Sequence, residues 1–264
     1  VFSLAGLKLP VSLIAVLVGA SCAILLVAGR YRLVERFSTV LVALFTLTTL
    51  IAVGALQTTS YAVTPAQFLG GLTFQLPDSI NVAFAAFGII GVGASELIYY
   101  PYWCLEKGYA LRVGPDDGSP GWLGRARGWL RMMHIDAWVS FGIYTTATLA
   151  FYLLGAAVLH AKGLKVNDSQ MIETLSFMYR DTFGEWSFWL FLCGAFAVLY
   201  STVFGATASN ARLLADALAL FKVLQYRTPE DRVRWVKISC VLLAVAFTSV
   251  YLLMGTPVTL VFVG

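Results

Sequence analysis

The chain has 264 residues, of which 59% are hydrophobic and 12% charged, and its mean hydropathy is +0.80. Soluble globular domains run at roughly 45–50% apolar and about 25% charged residues, so a soluble fold is excluded and an integral membrane protein is indicated. The formal net charge of +4 follows from where the basic residues sit in the loops, and no nucleic-acid partner is needed to explain it.

Taken in chain order, stretches 9–28, 38–57, 80–106, 136–160, 186–210 and 236–254 are each apolar enough to span a membrane. A hydrocarbon core of about 30 Å needs roughly 20 such residues at 1.5 Å each. This predicts an all-α polytopic membrane protein with six transmembrane helices in a single domain over residues 1–264. The segments 171–185 (MIETLSFMYRDTFGE) and 213–225 (LLADALALFKVLQ) are short and amphipathic, and read as helices at the membrane surface, as caps, or as ordinary loop helices. The chain starts at Val1 and stops at Gly264, inside the apolar run VTLVFVG, so it is read as a fragment truncated at both ends.

Lys and Arg set the orientation. Arg30, Arg32 and Arg36 lie between the first two spans, five more lie in 107–135, and six lie in 211–237. The alternate loops hold Lys8, Lys162, Lys165 and Arg180. Fourteen against four is a positive-inside pattern that puts the first span's start and the sixth span's end outside.

Of the 14 acidic residues, Glu96 is the one placed in mid-membrane. A carboxylate there costs at least about 2.5–3.5 kcal/mol and marks a functional site by default; the bland alternative is a protonated side chain bonded to a neighbouring helix. Around it, Gly88, Gly91 and Gly93 precede Pro101. Glycine permits non-helical backbone and proline removes an N–H, so this stretch is expected to unwind at the membrane centre. Unwound backbone at that depth lines a cavity or is buried in protein, and offers carbonyls to cations. With Ser95 and Glu96 beside it, the break forms an oxygen-rich site suited to a hard cation.

The remaining polar groups have plainer readings. Thr145, Thr146, Thr148, Ser201, Thr202, Thr207 and Ser209 are read as hydroxyls bonding across helices, while Asn210 is set apart because an amide oxygen can ligate a cation. Tyr99, Tyr100, Tyr102 and Trp103 read as an interface belt or packing, with a vestibule lining as the sharper reading. Asp136 reads as a residue complementing a helix N-terminus. His134 and His160 fall at opposite ends of a span, and Cys22, Cys104, Cys193 and Cys240 read as small buried side chains. No HExxH, GxSxG, GxxxxGK or CxxC pattern occurs, which argues against an enzyme and a resident cofactor.

The run GIIGVGASELIYYPYWCLEKG, residues 88–108, resembles the sixth helix of the Nramp family of divalent-metal transporters. That helix carries a Gly-Ile-(Ile/Leu)-Gly run followed by Met-Pro-His. LKLPVSLIAVLVGASCAILLVAGRYRLVERFSTVLVALFTL is similar to the family's fourth and fifth helices, and LYSTVFGATASNARLLADAL to its eighth, with Gly205 at a family glycine and Asn210 near a family glutamine. The resemblance implies a broken-helix, inverted-repeat transporter fold, of which this chain holds the fourth to ninth helices. It also implies a bound divalent cation contacting Ser95, Glu96, the Val92 backbone carbonyl and Asn210. Ungapped, Ser95 stands at the family's methionine, Glu96 at its proline and Leu97 at its histidine. The thioether that favours soft ions is therefore missing, as in the family's magnesium-transporting relatives, and Mg²⁺ or Mn²⁺ is the expected cargo. Nothing matches the family's Asp-Pro-Gly-Asn motif. The expected setting is the lipid bilayer of a cell membrane, as in a bacterial inner membrane; the sequence leaves the oligomeric state open. A same-fold transporter of an amino acid or other organic substrate, and a non-transporting scaffold subunit, are the alternatives.

Overall fold

The computed structural model describes residues 6, 9–29, 31–71, 80–81, 84, 88, 94–106, 108–163 and 171–254. The described residues are helical or lie in turns and links, with no strand among them. They pack as two compact units, one within 1–76 and 150–264 and the other within 77–149.

In the larger unit, α1 (Val11–Val27) starts after Pro10, whose extended backbone cannot belong to the helix, and closes with Gly29 at φ +69. Helix α2 (Tyr31–Leu56) ends in tight turns in which the N–H groups of Gln57, Thr58 and Thr59 donate to Gly54, Ala55 and Leu56. Helix α3 (Pro65–Gly71) is opened by a reciprocal cap: the Thr64 N–H donates to Gln67 Oε1 at 2.9 Å and the Gln67 N–H to Thr64 Oγ1 at 3.3 Å. Proline at the first helical position completes that start signal.

The smaller unit holds α4 (Ala94–Glu106), α5 (Tyr109–Val113) and most of α6 (Pro120–Leu154). Ser119 caps α6 by accepting from the Trp122 N–H at 3.0 Å, with Pro120 again first in the helix. The helix begins well before the apolar stretch at 136, so Asp136 lies in its middle. Its expected role at a helix N-terminus is therefore corrected, since the dipole acts only within the first turn.

Back in the larger unit, α6 runs on into a π-helical turn, Gly155–His160. There follow α7 (Met171–Phe183), α8 (Trp186–Leu220) and α9 (Pro229–Met254). Residues 213–220 form no separate helix but continue α8. That helix stops at Lys222, which takes φ +62 where glycine is usual. The Val223 N–H donates to Leu218 O at 2.9 Å and the Lys222 N–H to Ala219 O at 3.0 Å, the paired bonds of a Schellman ending. Helix α9 opens on a second capping box, with Asp231 Oδ2 accepting from the N–H groups of Arg227 and Thr228, both at 2.9 Å.

The core is built where α2, α7, α8 and the π-turn meet. Leu56, Leu154, Val158, Met178, Tyr179 and Phe191 are buried there. Helix α7 is thus an amphipathic helix docked on the spans. Thr49 Oγ1 donates to Phe45 O at 2.8 Å, so the buried Tyr179 hydroxyl is the donor in its 2.7 Å bond to Thr49 Oγ1. The Phe45 ring lies 5.8 Å from that of Tyr179 and 6.0 Å from that of Phe191. Small residues allow the close helix contacts typical of membrane interiors. A Cβ on Gly194 would fall on the Phe45 ring, and one on Gly19 on the Thr248 hydroxyl.

Candidate functional site

Glu96 stands in the first turn of α4 and is exposed, with Ser95 beside it in the helical backbone. A carboxylate at that position offsets the positive end of the helix dipole. The expected break at Gly91–Gly93 and the Val92 carbonyl lie outside the described residues. Leu97, at the place of the family's histidine, is 69% exposed. Pro101, within α4, is tolerated although it removes one ladder donor.

One turn after Glu96, at the i+4 position that shares its face, comes Tyr100. Its hydroxyl oxygen is buried and has no hydrogen-bond partner among the described residues. A buried hydroxyl in that condition has a hydrogen bond still to make, which an ion's hydration water or another polar group can supply. Cys104, half-buried, continues the same face one turn further. Sequence reading grouped Tyr100 with its aromatic neighbours as a belt; the signal it passed over was the four-residue spacing from Glu96. Tyr99, Tyr102 and Trp103 are also half-buried.

Asn210 belongs to α8 in the larger unit, where it is half-buried and its Nδ2 donates to Ala206 O at 2.9 Å. Its polar neighbours do likewise. The hydroxyls of Ser201, Thr202, Thr207 and Ser209 all donate to carbonyls three or four residues back on α8, as does Thr146 on α6. These side chains therefore spend their donors within their own helix, in place of the cross-helix donation expected of them, while Thr207 keeps a cross-helix side-chain partner in Cys22 on α1. Such a bond is made nearby, where Tyr200 donates to Ser21 Oγ at 3.1 Å and Ser21 in turn donates to Val18 O.

Two cavities are lined by described residues of the larger unit. One of about 300 Å³ lies at the end of α2, beside Gln57, Thr64 and Phe68. The other, about 210 Å³, lies between α1, α8 and α9, beside Cys22, Thr207 and Tyr251. Neither is lined by a predicted ligand. Among the described residues no three His, Cys, Asp or Glu side chains gather as a metal cluster. Ser95 and Glu96 are brought together by adjacency on α4, whereas Asn210 stands in the other unit.

Four helical segments among the described residues, Ser38–Leu56, Pro120–Leu159, Trp186–Leu220 and Pro229–Met254, are long and apolar enough to cross a membrane, and the apolar Val11–Val27 is a little shorter. With its all-helical build, this defines a multi-pass α-helical membrane protein. The profile of the family described as Nramp, natural resistance-associated macrophage protein-like, matches residues 2–263. The chain belongs to the Nramp family, and so to a family of divalent-metal transporters, not of enzymes. No curated protein and no solved structure matches it significantly.

Proposed function

We propose that the chain moves Mg²⁺ and Mn²⁺ across a cell membrane, the inner membrane in a bacterial host, by alternating access. The ion rests at the unwound centre of the helix carrying Gly93 to Glu96. The observation that carries this reading is Glu96 itself, the lone mid-membrane carboxylate of the sequence, exposed at the start of α4. The ligand set is all oxygen: the Glu96 carboxylate, the Ser95 hydroxyl, the Val92 carbonyl and the Asn210 amide.

Oxygen ligands suit hard cations, whereas a thioether selects softer ones. With Ser95 where the family has methionine, the basis for rejecting Mg²⁺ is removed. Mg²⁺ dehydrates reluctantly and keeps several waters in most sites, so a small number of protein oxygens is enough to hold it. One bundle then rocks against the other to expose the ion to the opposite side. Leu97 carries no proton, so the family's proton route does not pass through that position.

An amino-acid substrate would bring its carboxylate to a helix start where Glu96 already stands. That like-charge contact disfavours the organic-substrate reading. The test is uptake into dye-loaded proteoliposomes. Mg²⁺ uptake that Mn²⁺ competes with strongly and Cd²⁺ weakly is expected; no Mg²⁺ or Mn²⁺ uptake by folded, monodisperse protein would contradict the reading.

A further inference from the structure

The helical run Pro120–Leu159 has 40 residues, about 60 Å at 1.5 Å each, twice the hydrocarbon thickness of about 30 Å. With the apolar stretch 136–160 in the membrane, residues 120–135 extend beyond it. On that extension Arg127, Arg131 and His134 recur at i, i+4 and i+7, which places them on one face. All three are exposed, and none forms an ion pair with a described carboxylate. Asp136, the one acidic residue of this helix, lies about 140–180° around from them at 100° per residue.

The other arginines of the segment are engaged elsewhere. Arg125 Nε donates to Val113 O at 3.1 Å, and the Arg112 guanidinium lies over the Trp129 ring at 5.2 Å. Along the helix axis, His134 and Arg131 stand about 3 and 7 Å beyond residue 136, and Arg127 about 13 Å. The headgroup layer is roughly 5–7 Å deep on each side. His134 therefore falls within it, Arg131 stands at its outer edge, and the long arginine side chains reach back into it. Leu130 and Ile135, both exposed, give this level of the helix apolar surface beside the charges.

We propose that the Arg127, Arg131 and His134 face is a docking site for the phosphate of an anionic phospholipid in the leaflet from which this helix emerges. Guanidinium groups match phosphate oxygens in paired, charge-assisted hydrogen bonds. A row of them at headgroup depth, facing no carboxylate, favours lipids of net negative charge. The site does not depend on which ion the chain carries.

Native mass spectrometry of the full chain from micelles with equal phosphatidylglycerol and phosphatidylcholine tests this. Wild type should retain phosphatidylglycerol over phosphatidylcholine, and R127Q/R131Q should lower that preference by roughly tenfold or more. R227Q/R234Q, which removes the same charge from the segment joining α8 and α9, should leave it in place. An unchanged preference in R127Q/R131Q, or an equal loss in R227Q/R234Q, overturns the proposal. Should R127Q/R131Q fail to fold, R131Q alone carries the test with the same two outcomes.

Discussion

Tyr100 follows Glu96 by one turn of α4, and its buried hydroxyl has no hydrogen-bond partner among the described residues. An unsatisfied buried polar group costs about 1–3 kcal/mol, so Tyr100→Phe should raise the melting temperature. If the hydroxyl serves the ion or its water, the same change should reduce Mg²⁺ uptake several-fold. Melting curves and initial uptake rates on one preparation read both effects. A less stable Tyr100→Phe would contradict the burial argument, and unchanged uptake would remove Tyr100 from the ion's route.

The contact of α2 with α8 rests on the missing side chain at Gly194. Its Cβ would enter the Phe45 ring, and overpacking of this kind costs about 1–3 kcal/mol. Gly194→Ala should therefore lower stability measurably. By contrast, a Cβ at Gly205 meets nothing within 4 Å, and Gly205→Ala should be neutral or slightly stabilising through helix propensity. Similar thermal shifts for the two variants would refute this account of the packing.

At the α8–α9 end, Arg232 clasps Asp216 with both carboxylate oxygens engaged, at 2.9 and 2.7 Å. The Tyr226 hydroxyl donates to the same carboxylate at 3.3 Å. Burial, and then the nearby Asp216 charge, push the Tyr226 phenol above its ordinary range. Both charged side chains are partly exposed, so solvent screens the pair and a coupling of about 1 kcal/mol is expected. A double-mutant cycle with D216N and R232Q should return a value of that size, diminishing at high salt. A coupling near zero at low salt would show the pair to be incidental.

The cap of α9 gives a pH dependence with a definite sign. Backbone N–H donation from Thr228, then from Arg227, holds the Asp231 carboxyl below the usual carboxylate range. A depressed folded-state value means the cap's contribution is present above the ordinary aspartate range and is lost as pH falls through the lower, folded value. Amide exchange at residues 228–232 should accelerate in that acid window in wild type and be fast throughout in Asp231→Ala. Exchange that is equally slow in the variant would dismiss the cap.

Much of the fold was legible because the apolar stretches are long, yet hydropathy marks where a helix is apolar, not where it ends. Helices α6 and α9 start at Pro120 and Pro229, ahead of the apolar stretches at 136 and 236. Their start signals were present as Ser119-Pro120 and Thr228-Pro229-Glu230-Asp231, in polar sequence that a hydropathy window passes over. Asp136 was misassigned for the same reason. The stretch 213–225 looked separate because its composition changes after Asn210, but its backbone bonds continue those of α8 until Lys222 turns left-handed. At the proposed site, Glu96 stands out in the sequence by the cost of a carboxylate in an apolar run. Tyr100 does not, because an aromatic side chain in a membrane helix has a common packing role, and only the burial of its hydroxyl sets it apart.

The most direct test of the central claim is Mg²⁺ and Mn²⁺ uptake by proteoliposomes carrying wild type or Glu96→Gln, with yield, monodispersity and melting temperature measured in parallel. The account predicts that Glu96→Gln folds as well as wild type and loses at least nine-tenths of uptake, about the tenfold that 1.4 kcal/mol of lost ion stabilisation would give. Uptake by Glu96→Gln equal to that of wild type would contradict it and take the carboxylate off the ion's path.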